Sequence, residues 1–386
     1  MMKTSSTRIS GLGTTIFAEM SALATRTGAV NLGQGFPDTD GPDDVIDRAV
    51  EALRTGHNQY APGSGTPELR SAIAAHQHRF YGLGVDPDTE VVVTTGATEA
   101  IAAALLGLVE PGDEVIVLEP YYDSYVAMIQ MAGAVRKPVT LRAPTFRLPI
   151  EELRAAVSPR TTAILLNSPH NPTGTVLRRD ELDAVAAIAI EHDLVVISDE
   201  VYEHLTFDGL PHIPIATLPG MAQRTLTISS GGKTFSFTGW KIGWATGPAD
   251  LVRAVVGAKQ FLTYTSGSPL QPAIAHALRA DDAYFTEVTA RLQSQRDLLC
   301  DGLTEIGFDV FVPEGTYFAT TDIRPLGFDD GIEFCRLLPE RADVVAIPHQ
   351  VFYDDIAAGR SLVRWAFCKQ PQVLDRALER LRVLAP

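Results

Sequence analysis

The chain has 386 residues, 45% hydrophobic and 20% charged, with a formal net charge of −15. That length suits two domains, or one large domain with an appendage. So acidic a chain has no nonspecific attraction for nucleic acid or an anionic membrane, and anionic substrates would need a local cationic site. Cys300, Cys335 and Cys368 lack CxxC spacing, which argues against structural zinc, so no metal is expected, and suits reduced thiols in a cytosol. Residues 1–30 show no continuous apolar segment of the kind a signal peptide carries, and the run "AIAAALLGLV" (100–109) is too short to span a bilayer. A cytoplasmic protein is expected.

Strands and helices alternate along the chain. "EVVVTTG" (90–96) predicts a strand and "ATEAIAAALLGLV" (97–109) a helix. "DEVIVLEP" (113–120) predicts a strand, followed by a helix from Tyr121 to about Gly133. "TTAILLNSP" (161–169) predicts a strand and "RDELDAVAAIAIEHD" (179–193) a helix with an acidic start. "LVVISDE" (194–200) and "RTLTISS" (224–230) predict buried strands. Apolar runs of strand length between helix-length segments indicate a largely parallel sheet covered on both faces, an α/β architecture. Further on, helical patterns at about 284–306 and 371–384 flank short strands in "GFDVFVP", "TYFATTDI" and "SLVRWAFC". This predicts a smaller α+β domain. The expected division is a large domain over 46–285, with 1–45 as an N-terminal arm and 286–386 as the small domain.

Ligands of open α/β sheets bind beyond the carboxyl ends of the strands. Polar and glycine residues gather there: "TTGATE", "NSPHNPTG", "SDEVY" and "SSGGKT" each follow a predicted strand. In the first, the helix start after Gly96 could seat a phosphate, or Thr98 could simply cap the helix with Glu99 in its first turn. Asp199 closes an apolar strand, where a carboxylate needs a cation or donor; a structural ion pair or helix cap would also account for it. Tyr202, three residues on, shares its face if a helical turn starts there. "NSPHNPTG" reads as a loop, which leaves two asparagines at a strand end unexplained. Lys233 could form an imine with an aldehyde if burial or a neighbouring cation such as Lys241 lowered its pKa. An imine-forming lysine, a carboxylate for a ring nitrogen, donors for a phenolic oxygen and a phosphate seat are together what pyridoxal phosphate requires.

The chain resembles the class I/II aminotransferases of fold type I over nearly its whole length. The motifs are "NLGQGFPD" (31–38), "NQYAPGSGTPELR" (58–70), "GATEAI" (96–101), "EPYYDSY" (119–125), "NSPHNPTG" (167–174), "SDEVY" (198–202), "SSGGKTFSFTGWKIGW" (229–244) and "LVRWAFCK" (362–369). Within that family they are most similar to a branch of kynurenine, glutamine and methionine aminotransferases and cysteine-conjugate β-lyases. "GTTIFAEMSALATRTGAVNLGQGFPDTDGP" is closer still to N-succinyldiaminopimelate aminotransferases of lysine biosynthesis.

The resemblance implies pyridoxal 5'-phosphate as cofactor and roles for particular residues. Lys233 would bind the cofactor covalently and shuttle the proton. Asp199 would pair with the pyridine nitrogen, Asn171 and Tyr202 would bond the phenolic oxygen, and Tyr122 would stack on the ring. Gly96, Ala97, Thr98, Ser230 and Lys241 would seat the phosphate, with Tyr60 reaching it from the other subunit of a homodimer with shared sites. Arg364, inside the apolar strand "SLVRWAF", would grip the substrate α-carboxylate, a guanidinium there needing an anion. Gly35 would admit the substrate, and Phe17 and Tyr264 would shape the side-chain pocket. Two departures stand out: Lys241 replaces an arginine common among relatives, and Phe17 stands where a tryptophan is frequent.

The expected activity is amino transfer between glutamate/2-oxoglutarate and a second small-molecule amino or keto acid, N-succinyl-LL-2,6-diaminopimelate being favoured. The methionine/kynurenine branch and a β-lyase using the same residues are the alternatives. A DNA-binding regulator on this fold would need an N-terminal helical domain, and the family motifs begin by residue 31. For a remote substrate carboxylate, Arg26, Arg8 and Lys3 are candidates, each equally explained by solvation.

Overall fold

The computed structural model describes residues 6, 8–13 and 15–385. A seven-stranded sheet is built from β1 (Val91–Thr95), β2 (Glu114–Glu119), β3 (Val135–Thr140), β4 (Thr161–Asn167), β5 (Val195–Asp199), β6 (Thr225–Ser230) and β7 (Ile242–Thr246). Their order is β1-β7-β6-β5-β4-β2-β3. All neighbours are parallel except β7, which runs antiparallel to both β1 and β6.

Strand alternation explains the layering. Val115 and Val117 face one apolar cluster with the helices Gly96–Leu108, Asp123–Ala132 and Ala249–Lys259, while Ile116 and Leu118 face another with Arg179–Glu191. Ala163 and Leu165 divide from Ile164 and Leu166 in the same way. Successive side chains point to opposite faces, so a continuous apolar run is what a strand covered on both sides requires.

A second, four-stranded antiparallel sheet has the order Ile347–Pro348, Leu362–Ala366, Phe318–Asp322, Asp309–Phe311. Its core joins the helices Asp282–Ile306, Gly331–Ala342 and Pro371–Leu381. Met20 and Ala24 of the helix Ile16–Thr27 enter that cluster, as do Val201, Tyr202 and Leu205 from beyond β5. The short parallel pair Val30–Asn31 with Val344–Val345 ties the N-terminal segment to this sheet. The second sheet is thereby packed against the carboxyl ends of the first. No helix among the described residues is long and apolar enough to cross a membrane.

Every strand expected in the sequence forms. Two strands of the central sheet went unread. β3 carries Arg136, Lys137 and Pro138 and is partly exposed at the sheet edge, so it lacks the apolar run. β7 is interrupted by Gly243, and that glycine has a reason: a Cβ there would lie 2.5 Å from the Gly96 carbonyl carbon. The close approach of two backbones at a strand end needs the missing side chain.

Candidate active site

A cavity of about 1030 Å³ lies where the two sheets meet. Gly35, Gly96, Ala97, Thr98, Tyr122, Asn171, Asp199, Tyr202, Ser230, Lys233, Lys241, Arg364 and Phe17 all line it. They come from the ends of β1, β4, β5 and β6, from the N-terminal segment and from the middle of the second sheet.

Lys233 stands on the one-turn helix Gly231–Thr234 that follows β6, rather than on an open loop. Its Nζ donates to Tyr317 Oη at 2.7 Å and to the Gly35 carbonyl at 3.4 Å. Burial lowers its pKa to about 8, opposed by the nearby Cys368 and Asp199 and assisted by Arg364 and Lys241. Of the two causes expected from the sequence, burial and a neighbouring cation, burial is the larger.

Asp199, at the end of β5, accepts 2.6 Å from Tyr125 Oη and 3.3 Å from the Val201 amide. Burial raises its carboxyl to about 6, against those two donors and the Lys233 charge. It is still largely ionised at neutral pH. Asn167 supports both neighbours, donating to the Asp199 carbonyl at 2.9 Å and accepting from the Asn171 amide at 2.8 Å. The asparagines of the strand-end loop thus fix its shape.

Arg364 lies on Leu362–Ala366, hydrogen-bonded on both sides within its sheet. Only 1% of it is exposed. Nη1 donates to Asn171 Oδ1 at 3.0 Å and Nη2 to the Gly33 carbonyl at 2.9 Å, while Nε has no partner. The guanidinium lies 4.0 Å from the Phe318 ring centroid and 5.0 Å from that of Phe17. No carboxylate pairs with it among the described residues. Burial lowers its pKa to about 10. A buried cation that lines a cavity and has no carboxylate partner among the described residues calls for an anion.

The helix Gly96–Leu108 begins directly at the end of β1 with Thr95 as its N-cap. Thr98 therefore sits in the first turn and is not the cap. Glu99 accepts from the Thr95 amide at 2.5 Å, and the first-turn amides of Gly96, Ala97 and Thr98 have no helical acceptor. Lys241 adopts a left-handed conformation (φ 55°) that turns its ammonium toward Gly96, where a Cβ would lie 3.1 Å from Nζ. Gly35 has no room for a side chain either, since a Cβ would fall 2.5 Å from Phe318 Cζ.

Tyr60 and Tyr264 do not reach this cavity in their own chain. They meet each other edge-on at 5.5 Å on the surface, 83% and 50% exposed, beside the exposed Phe261 and Leu262. The pocket-shaping role expected of Tyr264 is thus not met within one chain. Arg8 and Arg26 are exposed and do not line the cavity, and Lys3 lies outside the described residues. Two contributors were missed. Tyr125 had a visible signal, one helical turn beyond Tyr122 in "EPYYDSY". Tyr317 had none, being 84 positions from the lysine it bonds.

A half-buried amine of lowered pKa, a buried carboxylate, an anion-seeking helix start and a guanidinium with no carboxylate partner among the described residues share one cavity, a set suited to covalent chemistry on carboxylate-bearing substrates. Comparison with known proteins makes this specific. The family "Aminotransferase class I and II" matches residues 27–381. The "Probable N-succinyldiaminopimelate aminotransferase DapC" of Mycobacterium tuberculosis is 55% identical, the match covering 98% of each chain. A solved structure of N-succinyldiaminopimelate aminotransferase from that organism superposes with a TM-score of 0.97 at 55% identity, over 99% of this chain and 100% of the other. The "Methionine aminotransferase" of Escherichia coli is 41% identical over 97% of this chain and 96% of its own. The chain belongs to the class I and II aminotransferases, and it is an enzyme of amino-group transfer.

The family implies pyridoxal 5'-phosphate, and the residues present suit it. The first-turn amides with Lys241 and Ser230 offer a phosphate-sized donor set, and Lys233 offers a half-buried amine of lowered pKa, about 8.

Proposed function

We propose that the protein is a pyridoxal-phosphate-dependent aminotransferase exchanging the amino group of glutamate with the keto form of N-succinyl-LL-2,6-diaminopimelate. When bound, the cofactor would supply an aldehyde and an electron sink for the bond broken at the substrate α-carbon. Lys233 Nζ would hold it covalently and, once freed by the incoming amine, move the proton at that carbon. The Asp199 carboxylate, kept in place by Tyr125, would hold the proton on the ring nitrogen. Asn171 and Tyr202 would bond the phenolic oxygen, and Tyr122 would cover the ring. Gly96, Ala97, Thr98, Ser230 and Lys241 would bind the phosphate.

The observation that carries this reading is Arg364, a buried guanidinium with no carboxylate partner among the described residues, in the same cavity as a half-buried lysine of lowered pKa. It would hold the α-carboxylate, and Asn171 would orient it. The substrate choice draws on the similarity to the mycobacterial protein. It is tested by kcat/KM for the succinylated substrate against methionine, glutamine and kynurenine, with the succinylated compound expected to lead by at least about tenfold. A clear lead for one of the others would place the enzyme in the methionine/kynurenine branch.

We further propose a homodimer in which Tyr60 completes the neighbour's phosphate site and Tyr264 the neighbour's pocket. The exposed patch of Tyr60, Phe261, Leu262 and Tyr264 supports this, because apolar surface so concentrated is costly to leave in water. Refolding a mixture of Tyr60→Phe and Lys233→Ala subunits should restore activity, since each heterodimer then has one intact site. Additive, unrestored activity would count against shared sites.

A further inference from the structure

The cavity is large. At about 1030 Å³ it stands at the upper end of small-molecule sites. It extends outward between the segment Gly11–Gly13, the helix Ile16–Thr27 and the helix Gly331–Ala342, where Ile16, Glu19, Ile332 and Arg336 line it. Its deep cations, Lys233, Lys241 and Arg364, have roles in the proposed function. Among the described lining residues, Arg336 is the remaining lysine or arginine. Another arginine near this rim is already committed: Arg136 holds Asp354 through two hydrogen bonds of 2.7 Å.

Arg336 is held differently. Its Nε and Nη2 share a single oxygen, Glu19 Oε1, each at 3.0 Å. Its Nη1 has no hydrogen-bond partner among the described residues. The two side chains are 59% and 42% exposed. An ion pair so exposed is weak, and a guanidinium binds a carboxylate best through two parallel hydrogen bonds to two oxygens. The pair sits on two helices in contact, and Arg336 and Glu19 line the same cavity as Arg364, with their side chains open to solvent.

From this geometry we infer that Arg336 is the specificity residue for long substrates, binding a carboxylate remote from the reacting carbon in place of Glu19. The inference rests on the proposed aminotransferase reading and names the substrate class of that site: amino acids whose side chain ends in an acid. Glu19 keeps the guanidinium aimed into the cavity when no such substrate is present. Its competing charge also favours substrates that present both carboxylate oxygens over those offering a single acceptor.

The test uses the holoenzyme and two amino acids of equal length, L-2-aminosuberate and L-2-aminooctanoate, which differ in the terminal carboxylate. Wild-type enzyme should prefer the diacid. Arg336→Gln should lower kcat/KM for the diacid by roughly tenfold to a hundredfold, mainly through KM, the range for losing a hydrogen-bonded charge pair. Activity with 2-aminooctanoate should stay within about twofold. Arg336→Lys should recover part of the loss, because charge is kept and the fork is not. An unchanged preference in Arg336→Gln, or an equal loss on both amino acids, would overturn the inference while leaving the aminotransferase reading intact. No amino transfer from any amino acid by the wild-type enzyme would instead sink that reading, and this inference with it.

Discussion

Lys233→Ala is expected to reduce turnover by at least about a thousandfold, because one change removes both the covalent anchor and the group that moves the α-proton. The size of the effect follows from where the amine sits. It lies half-buried between Tyr317 Oη at 2.7 Å and the Gly35 carbonyl at 3.4 Å, and desolvation brings its pKa to about 8. At pH 7 roughly a tenth of such amines are neutral, against a few parts in ten thousand for an exposed lysine. Lys233→Arg should be as inactive, since a guanidinium keeps the charge but neither condenses with an aldehyde nor gives up its proton. Steady-state kcat decides the matter. An arginine variant with a tenth of wild-type turnover would mean that Lys233 contributes charge rather than chemistry.

Asp199→Asn should lower kcat by a hundredfold to a thousandfold, the usual loss when one preorganised charge facing the reacting system is removed. Cofactor affinity should fall much less, because the phosphate donors are untouched. The isosteric amide can still meet Tyr125 Oη, now 2.6 Å from the carboxylate, so the local packing survives. What it lacks is the negative charge that keeps a ring nitrogen protonated. The charge exists at neutral pH despite burial, the carboxyl being raised only to about 6. A protonated ring nitrogen beside it would lower that value in the holoenzyme, so the charge is kept throughout the neutral range. Near wild-type kcat in Asp199→Asn would remove the residue from this role.

Most of the site residues that could be read in advance share one property: each lies at the end of a buried strand or in the short segment directly after it. Lys233, Asp199, Asn171 and Gly96 are of this kind, and parallel sheets place such ends together. Arg364 was legible for the opposite reason, a charge in the middle of an apolar run. Residues acting across the two sheets left less trace. Tyr317 meets Lys233 only because the second sheet packs on the first, and "GTYFATTD" reads as any strand entry. Tyr60 and Tyr264 belong to an exposed patch whose meaning depends on a second copy. Arg336 lies on an amphipathic helix among other surface charges, and only the cavity distinguishes it from them. The helix was anticipated one residue late, after Gly96, with Thr98 as a candidate cap. Strand and helix join without an intervening residue, so Thr95 takes the cap position, without a side-chain capping bond, and Thr98 lies inside the first turn.

The central claim is that Lys233 carries pyridoxal phosphate covalently, and reduction of the wild-type holoenzyme with borohydride followed by peptide mass mapping tests it most directly. The account predicts a single cofactor adduct on the peptide containing Lys233, formed before substrate is added and absent from Lys233→Ala. An adduct on Lys241, Lys259 or any other lysine, or none at all in a preparation that catalyses amino transfer, would contradict it.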